Sequence, residues 1–227
     1  MSWATSARPS DLDPMTTAQE LGIAEPCEIL LVRHGVPQPD GTMNPGLGVE
    51  GRDQSRSLVA HLRGESIDAI YSSHLIRAVQ TVEPLAAERG LEITIDERLR
   101  EWVSGATAYT GTEGMVDQSR TKAFLEGRFE EGFVPAHNDA ELRANMVAVM
   151  TEIGLAHQGQ KVVAASHGGA TNSFLAYVMQ SPLKFFFNPG YASISRVQVW
   201  PDGRFVLLCV NELTHERDRG PGMLPIG

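Results

Sequence analysis

The chain has 227 residues, 42% hydrophobic and 21% charged, which suits one large domain with its own core. Its formal net charge of -9 argues against a nucleic-acid binder, whose affinity comes mainly from cations on phosphates, and leaves room for a small, locally positive anion pocket. No apolar stretch reaches transmembrane length, and the N-terminus has no basic flank followed by an apolar core; no membrane partner is expected, and a cytoplasmic location follows. Residues 1–26, rich in Ser, Thr, Ala, Pro and Asp, read as a flexible arm with one helical turn around Thr17–Leu21. Residues 27–227 read as the folded domain. Cys27 and Cys209 lie in apolar, strand-like settings and read as buried free thiols, too few for a disulfide framework or a metal site.

The first element is a short apolar run, Glu28–Arg33, that reads as a buried parallel strand and runs into Arg33-His34-Gly35. A Gly/Pro-laden loop, 36–48, follows. A helix is expected over Gly51–Arg63, a strand over Asp68–Tyr71, and a helix whose stripe runs from Leu75 to Ala86 and stops near Gly90. Leu91–Ile95 alternates as a strand does. Residues 102–138 are Gly-rich and weakly periodic, and read as an insert capping whatever site lies beside it. Leu142–Ile153 is the next helix, Lys161–Ala165 a buried strand ending at Ser166-His167-Gly168-Gly169, and Thr171–Met179 a helix. Two final strands, Ser193–Trp200 and Arg204–Val210, flank Pro201-Asp202-Gly203, a hairpin signal. Strands alternating with helices predict an α/β domain, a three-layer α/β/α sandwich with a mostly parallel sheet and an antiparallel C-terminal edge hairpin.

In such sheets ligands bind beyond the carboxyl ends of the strands. Arg33-His34-Gly35, Ser72-Ser73-His74 with Arg77, and Ser166-His167-Gly168-Gly169 all fall there. Two arginines, two histidines and a helix N-terminus with free amides make an anion site. Asp96-Glu97-Arg98-Leu99-Arg100-Glu101 brings carboxylates to a fourth strand end.

Arg33-His34-Gly35, Ser73-x-Leu75-x-Arg77-Ala78-x-Gln80-Thr81, Asp96-x-x-Leu99-x-Glu101 and Ser166-His167-Gly168-Gly169 resemble, in order and rough spacing, the histidine phosphatase superfamily of phosphoglycerate mutase-like enzymes and acid phosphatases. Leu47-Gly48-x-x-Gly51-x-x-Gln54 resembles that family's Leu-Thr-x-x-Gly-x-x-Gln segment, with Gly48 in the Thr position. The resemblance implies that His34 is the nucleophile that becomes phosphohistidine. It also implies that Arg33, Arg77, His167 and Gly168 bind the phosphate, and that Glu101 protonates the leaving oxygen and then activates water. Glu97 is the runner-up acid. Ser73 and Asn44 are weighed as phosphate contacts, and Asn44 is not carried over because it lies far from His34 in sequence. No cofactor or metal is expected for this chemistry.

Within the family, mutases carry a basic, tyrosine-containing segment after the acid and a Glu-Ser start to the first loop. This chain has Trp102-Val103-Ser104-Gly105-Ala106 and Pro37-Gln38 instead. Arg120, Lys122 and Arg128 are outnumbered by Glu113, Asp117, Glu126, Glu130, Glu131 and Asp139. The expected activity is therefore that of a phosphomonoesterase on a small-molecule phosphate ester. Trp102, Tyr109 and Phe124 are candidate lining for a partly apolar leaving group. A cofactor-dependent mutase and a non-catalytic phosphate-ester binder are the alternatives. Phe185-Phe186-Phe187 reads as edge-strand core, with a homodimer face left open.

Overall fold

A computed structural model describes residues 24–101, 109, 119, 122–123, 126, 128, 139–183 and 185–213. The expected arm, its helical turn, and most of the 102–138 insert, including Trp102 and Phe124, lie outside the described residues. The elements are β1 (Cys27–Arg33), α1 (Val49–His61), β2 (Ala69–Ser72), α2 (Ile76–Arg89), β3 (Ile93–Ile95), α3 (Asp139–Ala156), β4 (Lys161–Ser166), α4 (Gly168–Val178), β5 (Ile194–Val199) and β6 (Phe205–Glu212). They form one six-stranded sheet in the order β3-β2-β4-β1-β5-β6. The β1–β4, β2–β4 and β2–β3 pairs are parallel, and the β1–β5 and β5–β6 pairs antiparallel.

Alternation along the central strands builds the three layers. Ile29 and Leu31 of β1 and Val162 and Ala164 of β4 pack with Met146, Met150 and Phe174 of α3 and α4. Leu30, Val32, Val163 and Ala165 face Leu58 of α1 and Val82 and Leu85 of α2. Both faces of β1 and β4 are covered, which is why these strands are apolar without a polar face. Among the described residues, no helix is long and apolar enough to cross a membrane.

Three expectations are corrected. Leu91 is not in β3: Gly90 closes α2 in the left-handed region (φ 65°), and the Leu91 amide turns back to bond Ala86 O at 3.0 Å. The helix-ending motif thus uses a residue that alternation assigned to the strand. The final hairpin lies at the sheet edge as expected, with β5 joined antiparallel to β1 and β6 outermost. Cys27 is a buried free thiol, its pKa pushed up to about 12 by burial, whereas Cys209 is free but only half-buried. Phe185 is buried, and Phe186 and Phe187 pack on the α3/α4 side of the core, but from a loop rather than a strand.

Pro84 sits inside α2 and gives no N–H to the carbonyl of Gln80. The Ser55 hydroxyl of α1 fills the gap, reaching Gln80 O at 3.3 Å and Thr81 O at 2.7 Å. α2 continues across the proline because its neighbour supplies the lost donor.

Candidate active site

The parallel pairings put the carboxyl ends of β1, β2, β3 and β4 on one edge of the sheet. Arg33 lies opposite Ser166, and Ser72 opposite Ala165. The residues immediately beyond are His34, Ser73 and His167, all buried.

His34 is 2% exposed. Its Nδ1 lies 2.8 Å from Gly35 O, a carbonyl that can only accept, so Nδ1 carries the proton and Nε2 keeps its lone pair. Arg77 Nε donates to that Nε2 at 3.3 Å. Burial, then the Arg77 and Arg33 charges, hold the His34 pKa well below its ordinary 6.5. The ring is therefore neutral at neutral pH.

The His167 ring centroid is 5.0 Å from that of His34. Its Nε2 meets Ser73 Oγ at 2.9 Å, and Ser73 Oγ also accepts the Leu75 amide at 3.3 Å. Ser73 Oγ has a proton and a second lone pair to offer His167 Nε2; where the hydroxyl donates, the His167 proton sits on Nδ1. Ser73, weighed in the sequence as a phosphate contact, is thus engaged by His167. Burial, followed by Arg77, His34 and Arg33, keeps His167 well below 6.5 as well.

Three buried nitrogens around His34 have no hydrogen-bond partner: Arg33 Nε, Arg77 Nη1 and His167 Nδ1. Buried unpaired polar atoms are costly, and three of them beside one imidazole form a cradle for an anion. Each guanidinium is covered by a phenol ring. Arg77 Cζ lies 4.5 Å from the Tyr109 ring centroid and Arg33 Cζ 3.8 Å from that of Tyr191. Both tyrosines also flank His34, at centroid distances of 6.4 Å and 5.6 Å.

Glu101 also reaches this edge. Its Oε2 accepts the Gly169 amide at 3.0 Å and its Oε1 the Ala170 amide at 3.2 Å. The carboxylate therefore caps α4, whose N-cap residue His167 makes no side-chain cap. This corrects the expectation of a helix N-terminus with free amides, since Gly168 is the one of these three amides the carboxylate does not use. A Cβ on Gly169 would fall 2.5 Å from Glu101 Oε1, so glycine is what lets the carboxylate approach. Glu97, the runner-up acid, is exposed on a 3-10 turn. Asn44 is half-buried, and its Oδ1 accepts the Ile76 amide at 2.8 Å, holding the start of α2.

The remaining motif residues are scaffold. Gly35 N donates to Thr81 Oγ1 at 2.9 Å, and Thr81 Oγ1 donates to Arg77 O at 2.7 Å, joining the turn after β1 to α2. Gln54 Oε1 accepts from Val36 N at 2.8 Å and Gln80 Oε1 from Leu47 N at 2.7 Å. A Cβ on Gly51 would lie 2.1 Å from Val36 O, so the loop can lie on α1 only where α1 has no side chain. That loop in turn holds Tyr109, whose amide donates to Thr42 O at 2.8 Å. Sequence reasoning missed Tyr191, which belongs to none of the motifs. Among the described residues, no group of three or more His, Cys, Asp or Glu side chains is arranged to hold a metal ion.

The pattern that defines branch 1 of the histidine phosphatase superfamily matches residues 29–212. The chain belongs to this superfamily. Among its relatives, phosphoglycerate mutase-like protein 4 of Arabidopsis thaliana is 30% identical over 163 residues, covering 64% of this chain and 68% of that protein. Phosphoserine phosphatase 1 of Hydrogenobacter thermophilus is 25% identical over 198 residues, covering 83% and 93%. Solved structures share the fold. YhfR of Bacillus stearothermophilus superposes with a TM-score of 0.67 at 22% identity, covering 83% of this chain and 98% of that one. A mycobacterial glucosyl-3-phosphoglycerate phosphatase gives 0.65 at 22% identity, covering 82% and 98%. Membership in the superfamily and these relatives support an enzyme of the phosphatase or mutase type.

Proposed function

We propose that this histidine phosphatase superfamily member is a phosphomonoesterase that hydrolyses a small-molecule phosphate ester through a phosphohistidine on His34. The observation that carries the reading is the set of three unpartnered buried nitrogens, Arg33 Nε, Arg77 Nη1 and His167 Nδ1, around a neutral His34. In this reading the three supply the donors that the equatorial oxygens of a phosphoryl group need.

Arg77 Nε has to leave His34 Nε2 before that lone pair can attack, and the incoming phosphate draws the guanidinium onto its own oxygens. A bond then forms from His34 Nε2 to phosphorus as the ester P–O bond breaks, and Glu101 gives its proton to the leaving oxygen. In the second half, water attacks phosphorus, its proton passes to Glu101, and the N–P bond breaks. Ester and water become alcohol and phosphate, and the enzyme is restored. Tyr109, whose ring stands beside His34, favours a partly apolar leaving group; Trp102, the other lining residue expected from the sequence, lies outside the described residues. A cytoplasmic location is part of the same reading.

Hydrolysis of p-nitrophenyl phosphate by the wild type and its loss in His34→Ala is the expected outcome. Turnover that survives His34→Ala would remove the phosphohistidine. The likeness to mutase-like proteins keeps one rival reading, phosphotransfer between 2- and 3-phosphoglycerate primed by the bisphosphate. Efficient interconversion with little net phosphate release would favour that rival.

A further inference from the structure

We infer that Tyr191 is a positioning residue for the phosphate-binding Arg33, held in place by a strap, residues 185–192, that the recognised motifs do not include. The inference rests on the phosphate-site reading above. The Tyr191 ring covers the Arg33 guanidinium at 3.8 Å, close enough for a strong cation–π contact in this buried setting. Arg33 Nη1 donates to Pro189 O of the same strap. Gly168 of α4 keeps the Nε side clear of a side chain, whose Cβ would stand 3.3 Å from Arg33 Nε. With one face covered and one terminal nitrogen held, the guanidinium is restrained while its Nε stays unpartnered.

The strap is built to hold that orientation. Ser193 N bonds Gly190 O at 3.2 Å, closing a turn over Tyr191 and Ala192. Ala192 takes positive φ (53°) in this turn, a conformation glycine usually supplies, although the residue is fully buried. The Ala192 amide donates to His34 O at 3.2 Å, so the turn is pinned to the candidate nucleophile's own backbone. Asn211 of β6, also at positive φ (58°), accepts the Gly190 amide at 2.7 Å. Asn172 of α4 fixes the other end, donating to Phe187 O at 3.0 Å and accepting from Phe186 N at 3.2 Å. One strained residue, Ala192, and contacts from two asparagines converge on the segment that lays the Tyr191 ring on Arg33, and backbone strain of this kind gathers at functional sites.

The test is a double-mutant cycle read by inorganic phosphate binding in calorimetric titration, alongside kcat and KM for p-nitrophenyl phosphate. Tyr191→Ala is expected to weaken phosphate binding about tenfold, while Tyr191→Phe, which keeps the ring face, stays within about twofold. In an Arg33→Lys background, Tyr191→Ala is expected to have little further effect, because the group it positions is gone. Should Tyr191→Ala not fold, Tyr191→Leu keeps the bulk and removes the π face. Equal losses in both backgrounds, or unchanged phosphate binding in Tyr191→Ala, would overturn the assignment. A wild type that binds phosphate but hydrolyses no ester would instead overturn the phosphomonoesterase reading and leave the Tyr191 test standing. A wild type that binds no phosphate would overturn both.

Discussion

At the scale of single residues, the site depends on protons being in particular places. His34 presents a lone pair on Nε2 because its one N–H, on Nδ1, donates to Gly35 O, and burial with the neighbouring Arg77 and Arg33 charges keeps the ring neutral. The acid limb of kcat/KM should therefore lie below pH 6.5, with activity rising as pH climbs through the depressed His34 value. The same shifts carry a sign for stability. Folded values below the unfolded 6.5 mean that the contributions of His34 and His167 are complete above 6.5 and are lost as pH falls, because buried rings must charge. Thermal midpoints should drop on acidification from about pH 7 to about pH 5, a window in which unpaired exposed histidines cost nothing. Glu101 gives a second prediction. Glu101→Gln, and Gly169→Ala through its clash with the carboxylate, should slow hydrolysis of alkyl phosphates by about 10²–10⁴-fold and of p-nitrophenyl phosphate much less. A phenolate leaving group needs little protonation, so equal losses on both esters would remove Glu101 as the acid. The convergence of Arg33, His34, Arg77 and His167 was legible because each lies at a strand end or a helix start, whereas Glu101, beyond the 3-10 turn after β3, was singled out by the family motif. Tyr191 was not, since its turn relies on an alanine at positive φ, which no residue preference announces.

At the scale of elements, periodicity identified the helices and strands because their apolar faces are buried on one or both sides. It failed where local chemistry competes with it. Leu91 alternates with Ile93 yet serves the end of α2. α2 runs through Pro84 because a partner helix supplies a hydroxyl. Ser55→Ala should then cost about 1–2 kcal/mol of unfolding free energy by leaving a buried carbonyl unpaired. Chemical denaturation measures this, and Pro84→Ala in the same background should recover part of the loss by restoring an N–H. If Pro84→Ala recovers nothing, the hydroxyl is not the substitute donor. The helix N-terminus of α4 was legible as an anion site, but its cap was not. Glu101 and Gly169 are separated by the whole insert and α3, and their contact exists only in three dimensions.

At the scale of the whole molecule, the fold class and the strand ends were legible, whereas the place of β5 was not. A hairpin signal specifies its own two strands and says nothing about which third strand it joins. β5 carries Arg196 into a charge network near the N-terminal ends of β1 and β4, away from the site. Arg196 pairs with Glu65 at 2.7 Å, Glu212 at 2.7 Å and Glu28 at 3.0 Å, and Lys161 Nζ reaches Glu65 at 2.5 Å. Arg196, and then Lys161, hold Glu65 at about 2. Its folded value lies below the unfolded 4.5, so its contribution is full above pH 4.5 and fades as pH falls towards 2. Glu65→Gln should flatten the stability profile across that acid window, and an unchanged slope would show that the network does not couple to folding. The position of β1 has one further consequence. This strand is flanked by β4 and β5, so the backbone leading into His34 gains its neighbours only after residues 161–166 and 194–199 exist. On the ribosome, His34 emerges long before the partners that bury it, and a polymer dominated by such distant pairings closes slowly. A nascent chain stalled before β5 should expose apolar β1 to chaperones and show none of the proposed activity, which should arise only once residues 194–199 have emerged.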